Sequence, residues 1–289
     1  IWFLAVYVVI VLLVPIMEAA WARFDMGSFW ALTAAAIVGD VMYFVFDLRW
    51  LGFANYLFVW GAISLLGFAW LDERFSDRTV MLVCGALGFA ALVLLVHFGP
   101  YPVAMIGVPG DPVSNTTPPK VTLIALAILQ GGLLLAVQAP ARRWLAGRRA
   151  WTATVAINSS IMALFIWHLT ATTLVVFAAY LTNGVGLRLD PGSAQWWWAR
   201  VPWIIANTLA LIPLVAAFGR FERPGVPEGP PALAWHYVCG ALVTTAGLAL
   251  LAANGVGGYG WFGLNLWGLA LAFAGIGLVA RQTDSARAS

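Results

Sequence analysis

A chain of 289 residues that is 62% hydrophobic and only 9% charged cannot cover a water-facing globule, and its mean hydropathy of +0.90 places it in a membrane. Its net charge of +3 comes from basic residues scattered between apolar runs, which excludes nucleic acid as a partner and points to the lipid bilayer. Ten-residue alternating segments are absent, and backbone in lipid must satisfy its own hydrogen bonds, so a barrel is excluded and an all-α, polytopic transmembrane helical bundle is expected.

About nine apolar stretches of roughly 20 residues follow one another, each enough to carry a helix across about 30 Å of hydrocarbon. The first, 2–20, holds Glu18 near its end, where a side chain reaches the headgroups. The second, 29–46, places Asp40 about 16 Å from Phe29 at 1.5 Å per residue, close to the bilayer centre. An acid at that depth faces protein or water, and can hold a proton, pair with a base or orient a histidine. The third and fourth, 50–70 and 79–98, add Cys84 and a terminal, interfacial His97.

Between the fourth and fifth stretches lies "GPYPVAMIGVPGDPVSNTTPPK", Gly99 to Lys120, with six prolines and three glycines. Proline fixes φ and glycine frees it, so an ordered, turn-rich cap is expected. Asp111, Ser114, Asn115 and Thr116 offer it polar groups suited to hydroxylated ligands, and Asn115-Thr116-Thr117 matches a glycosylation acceptor.

The fifth stretch, 121–138, carries Gln130, Gly131 and Gly132, residue types that serve helix contacts. The sixth, 153–181, has a polar patch at Asn158, Ser159 and Ser160 and sets His168 past the midplane. A histidine there either packs neutral, donating to a backbone carbonyl, or lines a polar cavity. "QWWWARVPW", Gln195 to Trp203, brings four tryptophans to the entrance of the seventh, 202–218, as an interfacial belt or a platform for sugar rings. The eighth and ninth, 234–253 and 259–280, contain Cys239 and Asn265. The two cysteines read as small apolar residues, and no metal-ligand spacing is present.

Alternating the helices gathers eleven arginines, at 23, 74, 78, 142, 143, 148, 149, 220, 223, 281 and 287, on one side, and leaves Arg49, Lys120, Arg188 and Arg200 on the other. The richer side is assigned to the cytoplasm, giving a multi-pass plasma-membrane protein whose first residue lies outside and whose C-terminus lies inside. Ile1 already stands within an apolar run, so further sequence is expected to precede it. Walker, Rossmann, GxSxG and HExxH patterns are absent, which removes nucleotide-driven transport and zinc chemistry.

Taken together, "IWFLAVY" at 1–7, "NYLFVW" at 55–60, "GPYP" at 99–102 leading to "VPGD", "SN" and "PP" at 108–119, and "FIWHLT" at 165–170 resemble the acyltransferase-3 family of integral membrane acyltransferases in its actinobacterial form. The likeness covers roughly 1–220, with two added helices and a short tail in 221–289. It implies transfer of an acyl group, O-acetylation for example, from a cytoplasmic acyl-CoA co-substrate to a hydroxyl of an extracytoplasmic carbohydrate or glycolipid of the cell envelope. No bound cofactor is implied. The family's principal catalytic arginine and histidine belong to helices expected before Ile1, so the chain as written is expected to be inactive. His168 matches the family pattern and takes a supporting catalytic role, with Asp40 beside it shaping the cavity; Trp167, Asn158, Asp111, Ser114 and Asn115 are the expected substrate contacts. Phe165 and Met162 stand where the family often has tyrosine. Asp40 and His168 also fit a proton relay, leaving a proton-coupled secondary transporter of a small solute as the alternative, and a scaffold without chemistry as a third class.

Overall fold

The computed structural model describes residues 2–107, 112–190, 192–219, 234–257 and 263–285. Eleven α-helices lie among the described residues: α1 (Trp2–Phe24), α2 (Met26–Phe44), α3 (Asn55–Leu71), α4 (Arg78–Phe98), α5 (Val121–Ala136), α6 (Gln138–Leu145), α7 (Arg148–Asn158), α8 (Ile161–Leu181), α9 (Ala194–Phe218), α10 (Ala234–Asn254) and α11 (Leu266–Ser285). The protein is an all-α, multi-pass membrane bundle. Seven described helices are long and apolar enough to cross a membrane, and α5 with α6 makes an eighth if that bent pair is one span. One cause of the difference from nine is local: α5 alone has 16 residues.

The chain forms two compact units, Ile1–Ala139 with Glu228–Ser289, and Pro140–Pro227. In the first, α1, α2, α3 and α5 bury Met17, Trp21, Phe29, Ala36, Val59 and Leu65 among others in one core. Polar contacts pin the turns at one end. Trp21 donates its indole N–H to Asp72 at 2.7 Å, Arg74 pairs with Asp25 at 2.6 Å, and Asp77 caps α4 through the amides of Thr79 and Val80. Asp25, at φ 50°, turns α1 sharply into α2 and accepts from the Met26 amide. The last two helices join this unit, because α10 packs on both α11 and α1.

Small residues set the closest helix contacts, as they must where lipid removes the hydrophobic drive for association. A Cβ on Gly132 of α5 would lie 2.5 Å from the amide nitrogen of Gly85 on α4, and one on Gly88 would lie 2.6 Å from the Leu129 nitrogen. Gly247 on α10 meets Gly268 and Ala272 on α11 in the same way.

In the second unit α8 and α9 form an antiparallel hairpin. Trp167 stacks on Phe218 near one end with ring centroids 4.0 Å apart, and Gly186 meets Trp203 near the other. The expected sixth stretch is in fact two helices. Asn158, Ser159 and Ser160 form the break between α7 and α8, since the Ser159 amide bonds to the Val155 carbonyl and the Ser160 amide to Ile157, closing α7. The seventh begins earlier than expected, with Ser193 capping α9 through the Trp196 amide, so the tryptophans lie inside the helix.

The glycine contacts give a test with its own control. Gly132→Ala is expected to lower the thermal unfolding midpoint in detergent, by an overpacking cost of about 1–3 kcal/mol. Gly131→Ala, whose Cβ meets nothing within 4 Å, is expected to leave the midpoint unchanged or raise it. Equal effects from the two would contradict the α4–α5 packing.

Candidate functional site

Two polar constellations interrupt the apolar structure, one in each unit. The first centres on Asp40. Because α2 starts at Met26 and stops at Phe44, Asp40 lies four residues from its end, about 6 Å along the axis, rather than at the middle of the helix. Its carboxylate is 2% exposed. Asn55 Nδ2 donates to Oδ1 at 2.9 Å, while the Tyr101 hydroxyl at 3.0 Å and the Val121 amide at 2.9 Å donate to Oδ2. Gly39 makes this possible, since a Cβ there would collide with the Asn55 carboxamide.

The Val121 contact identifies what Asp40 does. Val121 opens α5, and the residue before it, Lys120, carries no oxygen with which to cap the helix. The carboxylate of α2 supplies that cap from across the bundle, and its negative charge meets the positive end of α5. A carboxylate engaged at both oxygens is a structural anchor and not a free base.

Lys120 completes the cluster. It is wholly buried, its ammonium has no hydrogen-bond partner, and it sits 3.5 Å from the Tyr43 ring centroid and 5.4 Å from that of Phe44. A desolvated cation on an aromatic face is held by about 2 kcal/mol. Burial pushes the Lys120 amine down to about 8, against the upward pull of Asp40's charge. Burial, and then Asp40, raise the Tyr101 phenol above its ordinary value, keeping it a donor.

The 99–120 segment folds onto this anchor. Asn115 is buried, gives both amide hydrogens to Pro102 O and Ala104 O at 2.8 and 3.0 Å, and accepts from Thr122 Oγ1 at 2.8 Å. Ser114 Oγ accepts from the Thr116 and Thr117 amides. Asn115 therefore braces the cap from inside, and its buried amide offers neither a ligand contact nor a glycosylation acceptor. Asp111 lies outside the described residues. Glu18 and His97 are exposed near the ends of α1 and α4.

The second constellation belongs to the α8–α9 hairpin. His168 stands seven residues, about 10 Å, from Ile161 and thirteen, about 20 Å, from Leu181, so the break before α8 places it in the first half of the helix. Its Nδ1 lies 2.5 Å from Phe165 O. A carbonyl only accepts, so Nδ1 carries the hydrogen, and Nε2 is the ring atom left for a further partner. One turn on, the single hydroxyl hydrogen of Thr172 is shared between His168 O at 2.9 Å and Asn207 Oδ1 at 2.8 Å; Asn207 Nδ2 donates to Trp203 O at 2.8 Å.

These groups line a cavity of about 640 Å³, together with Trp196, Arg200 and Trp203. That volume suits a sugar-sized or lipid headgroup ligand. Trp167 faces Phe218 instead and is not among the lining residues, and Asn158 ends α7 in an exposed position. Asp40 and His168 thus fall in different units, each with its own partners. Lys120 and Arg200 were legible only as loop charges, because sequence does not show that one is buried and the other lines a cavity. Among the described residues no group of three or more His, Cys, Asp or Glu side chains could hold a metal ion. Comparison with protein-family models, with curated proteins and with solved structures gives no match.

The Lys120 environment predicts a pH dependence with a definite sign. Between about pH 8 and the ordinary 10.5, the folded protein has released a proton that the unfolded chain still holds, so stability rises with pH across that window. The unfolding midpoint in detergent is expected to climb from pH 8 to pH 10 more steeply in the wild type than in Lys120→Met. Parallel profiles would contradict the burial of a titrating amine.

Proposed function

We propose that this protein is an integral membrane acyltransferase that moves an acyl group from a cytoplasmic acyl-CoA-type donor to a hydroxyl of an extracytoplasmic carbohydrate or glycolipid. The observation that carries the reading is that His168, its Nδ1 held by the Phe165 carbonyl, lines a cavity together with the bonded pair Thr172 and Asn207. The resemblance of "FIWHLT", "NYLFVW" and the 99–120 cap to acyltransferase-3 proteins supports it. The positive-inside count supports an orientation with Ile1 outside and the C-terminus in the cytoplasm.

In the reaction the thioester C–S bond breaks, an ester C–O bond forms, and the acceptor's hydroxyl proton ends on the departing thiol. His168 Nε2 accepts a hydrogen bond from the acceptor hydroxyl and fixes its orientation. The apolar helix walls limit competing water. Asp40 acts at a remove, holding the cap to the start of α5.

Membranes containing the full-length protein, supplied with radiolabelled acyl-CoA, are expected to transfer label to a glycan or glycolipid. His168→Ala is expected to reduce that transfer by about tenfold to a hundredfold, less than the loss of a principal acid–base group. Absence of label from every glycan, glycolipid and from the protein itself would refute the reading. Proton-driven solute uptake without acyl transfer would replace it with a transporter.

A further inference from the structure

Among the described residues, Arg200 is the one side chain lining the α8–α9 cavity whose charge is permanent. Its guanidinium lies 3.5 Å from the Trp196 ring centroid, one turn back along α9. Neither ion pair among the described residues involves it. The cation–π contact spends none of the five guanidinium N–H donors on a carboxylate, and such a planar fork can receive an oxyanion through two parallel hydrogen bonds. A neutral sugar needs only the tryptophan faces; an unpaired cation added to them favours an anion.

The surrounding wall is fixed. Gly186, at φ 76°, brings its backbone so close to the Trp203 indole that a Cβ would lie 2.6 Å from Nε1. Both the positive φ and the close approach call for glycine, so the Trp203 indole of α9 packs directly on the backbone of Gly186. Arg200 and Asn207 are seven residues apart on α9, about 10 Å along its axis. The groove thus has a cationic end and, about 10 Å away, the His168–Thr172–Asn207 end. Most of its remaining lining is apolar, from α8, α9 and the connection residues Leu187 and Leu189, with Thr208 the polar exception.

We propose that this groove takes an anionic, hydroxylated lipid, with a phosphate or carboxylate on Arg200 and a headgroup hydroxyl at His168. As an identification of the acceptor class this rests on the acyltransfer reading above. The anion preference itself is a binding property and can be measured without any acyl donor.

Full-length protein in phosphatidylcholine nanodiscs would be doped, at equal mole fraction, with photoactivatable phosphatidylinositol or with photoactivatable monoglucosyldiacylglycerol, both hydroxylated but only the first anionic. Crosslinking to α8 and α9 peptides is expected to favour phosphatidylinositol by about tenfold. Arg200→Gln is expected to bring the two lipids to parity while leaving the neutral lipid's yield and the unfolding midpoint as in the wild type, which separates lost charge from lost fold. Arg200→Lys should keep a reduced preference. Equal labelling of both lipids by the wild type, or an undiminished preference in Arg200→Gln, would overturn the proposal. Displacement of the label by soluble inositol phosphate as effectively as by unlabelled phosphatidylinositol would overturn the lipid part of it. Anion-selective binding without acyl transfer when acyl-CoA is supplied would refute the enzyme reading and leave the Arg200 site standing.

Discussion

The first unit depends on one cross-bundle contact: the Asp40 carboxylate of α2 caps the amide that opens α5. The start of a helix leaves its first N–H groups without partners, and in a medium without water each such group costs free energy unless something accepts from it. α5 begins with Lys120 and Val121, neither of which has a side-chain acceptor, so the cap must come from elsewhere. Supplying it from α2 fixes the relative height of the two helices. The same carboxylate takes Asn55 from the start of α3 and Tyr101 from the 99–120 segment, so three helices and the cap meet at one charge. Lys120 offsets that charge without touching it, resting on the Tyr43 ring instead of forming a direct ion pair. A direct pair would localise both charges in one contact; spreading the anion over three donors and the cation over an aromatic face satisfies each separately.

The two units treat polar groups in opposite ways. In the first, Asp40, Asn55, Asn115, Lys120 and Thr122 are all buried and, except for the Lys120 ammonium and one oxygen of Asn55, bonded. In the second, α9 has no buried residue, and His168 and Arg200 both line a cavity. Chemistry on a bound molecule needs polar groups that reach a cavity, which is why the functional proposal rests on the hairpin and assigns Asp40 to architecture.

Much of the helical architecture was legible in the sequence because hydrophobic length is a strong signal and lipid admits few folds. Asp40 stood out for the same reason, since an acid inside an apolar run needs partners. What sequence did not carry was who those partners are. Lys120, at a loop end, read as a surface charge, and Asn115, within a run of turn residues, read as a ligand contact; the folding of the cap back on itself buries both. The polar triplet Asn158-Ser159-Ser160 looked like a patch within one long helix, because serine and asparagine are tolerated in helices and end them only where local bonds close the turn. Arg200 was hidden among the belt tryptophans, its stacking on Trp196 visible only once α9 is seen to begin at Ala194.

The account stands or falls on the trans cap. Hydrogen–deuterium exchange on the full-length protein in nanodiscs, comparing wild type with Asp40→Asn, reads it directly. Removing the charge while keeping the shape is predicted to speed exchange of the amides in 113–123 by about tenfold or more, with the middle of α3 unchanged. Exchange in 113–123 that is the same in both proteins would show that α5 and the cap are held without Asp40.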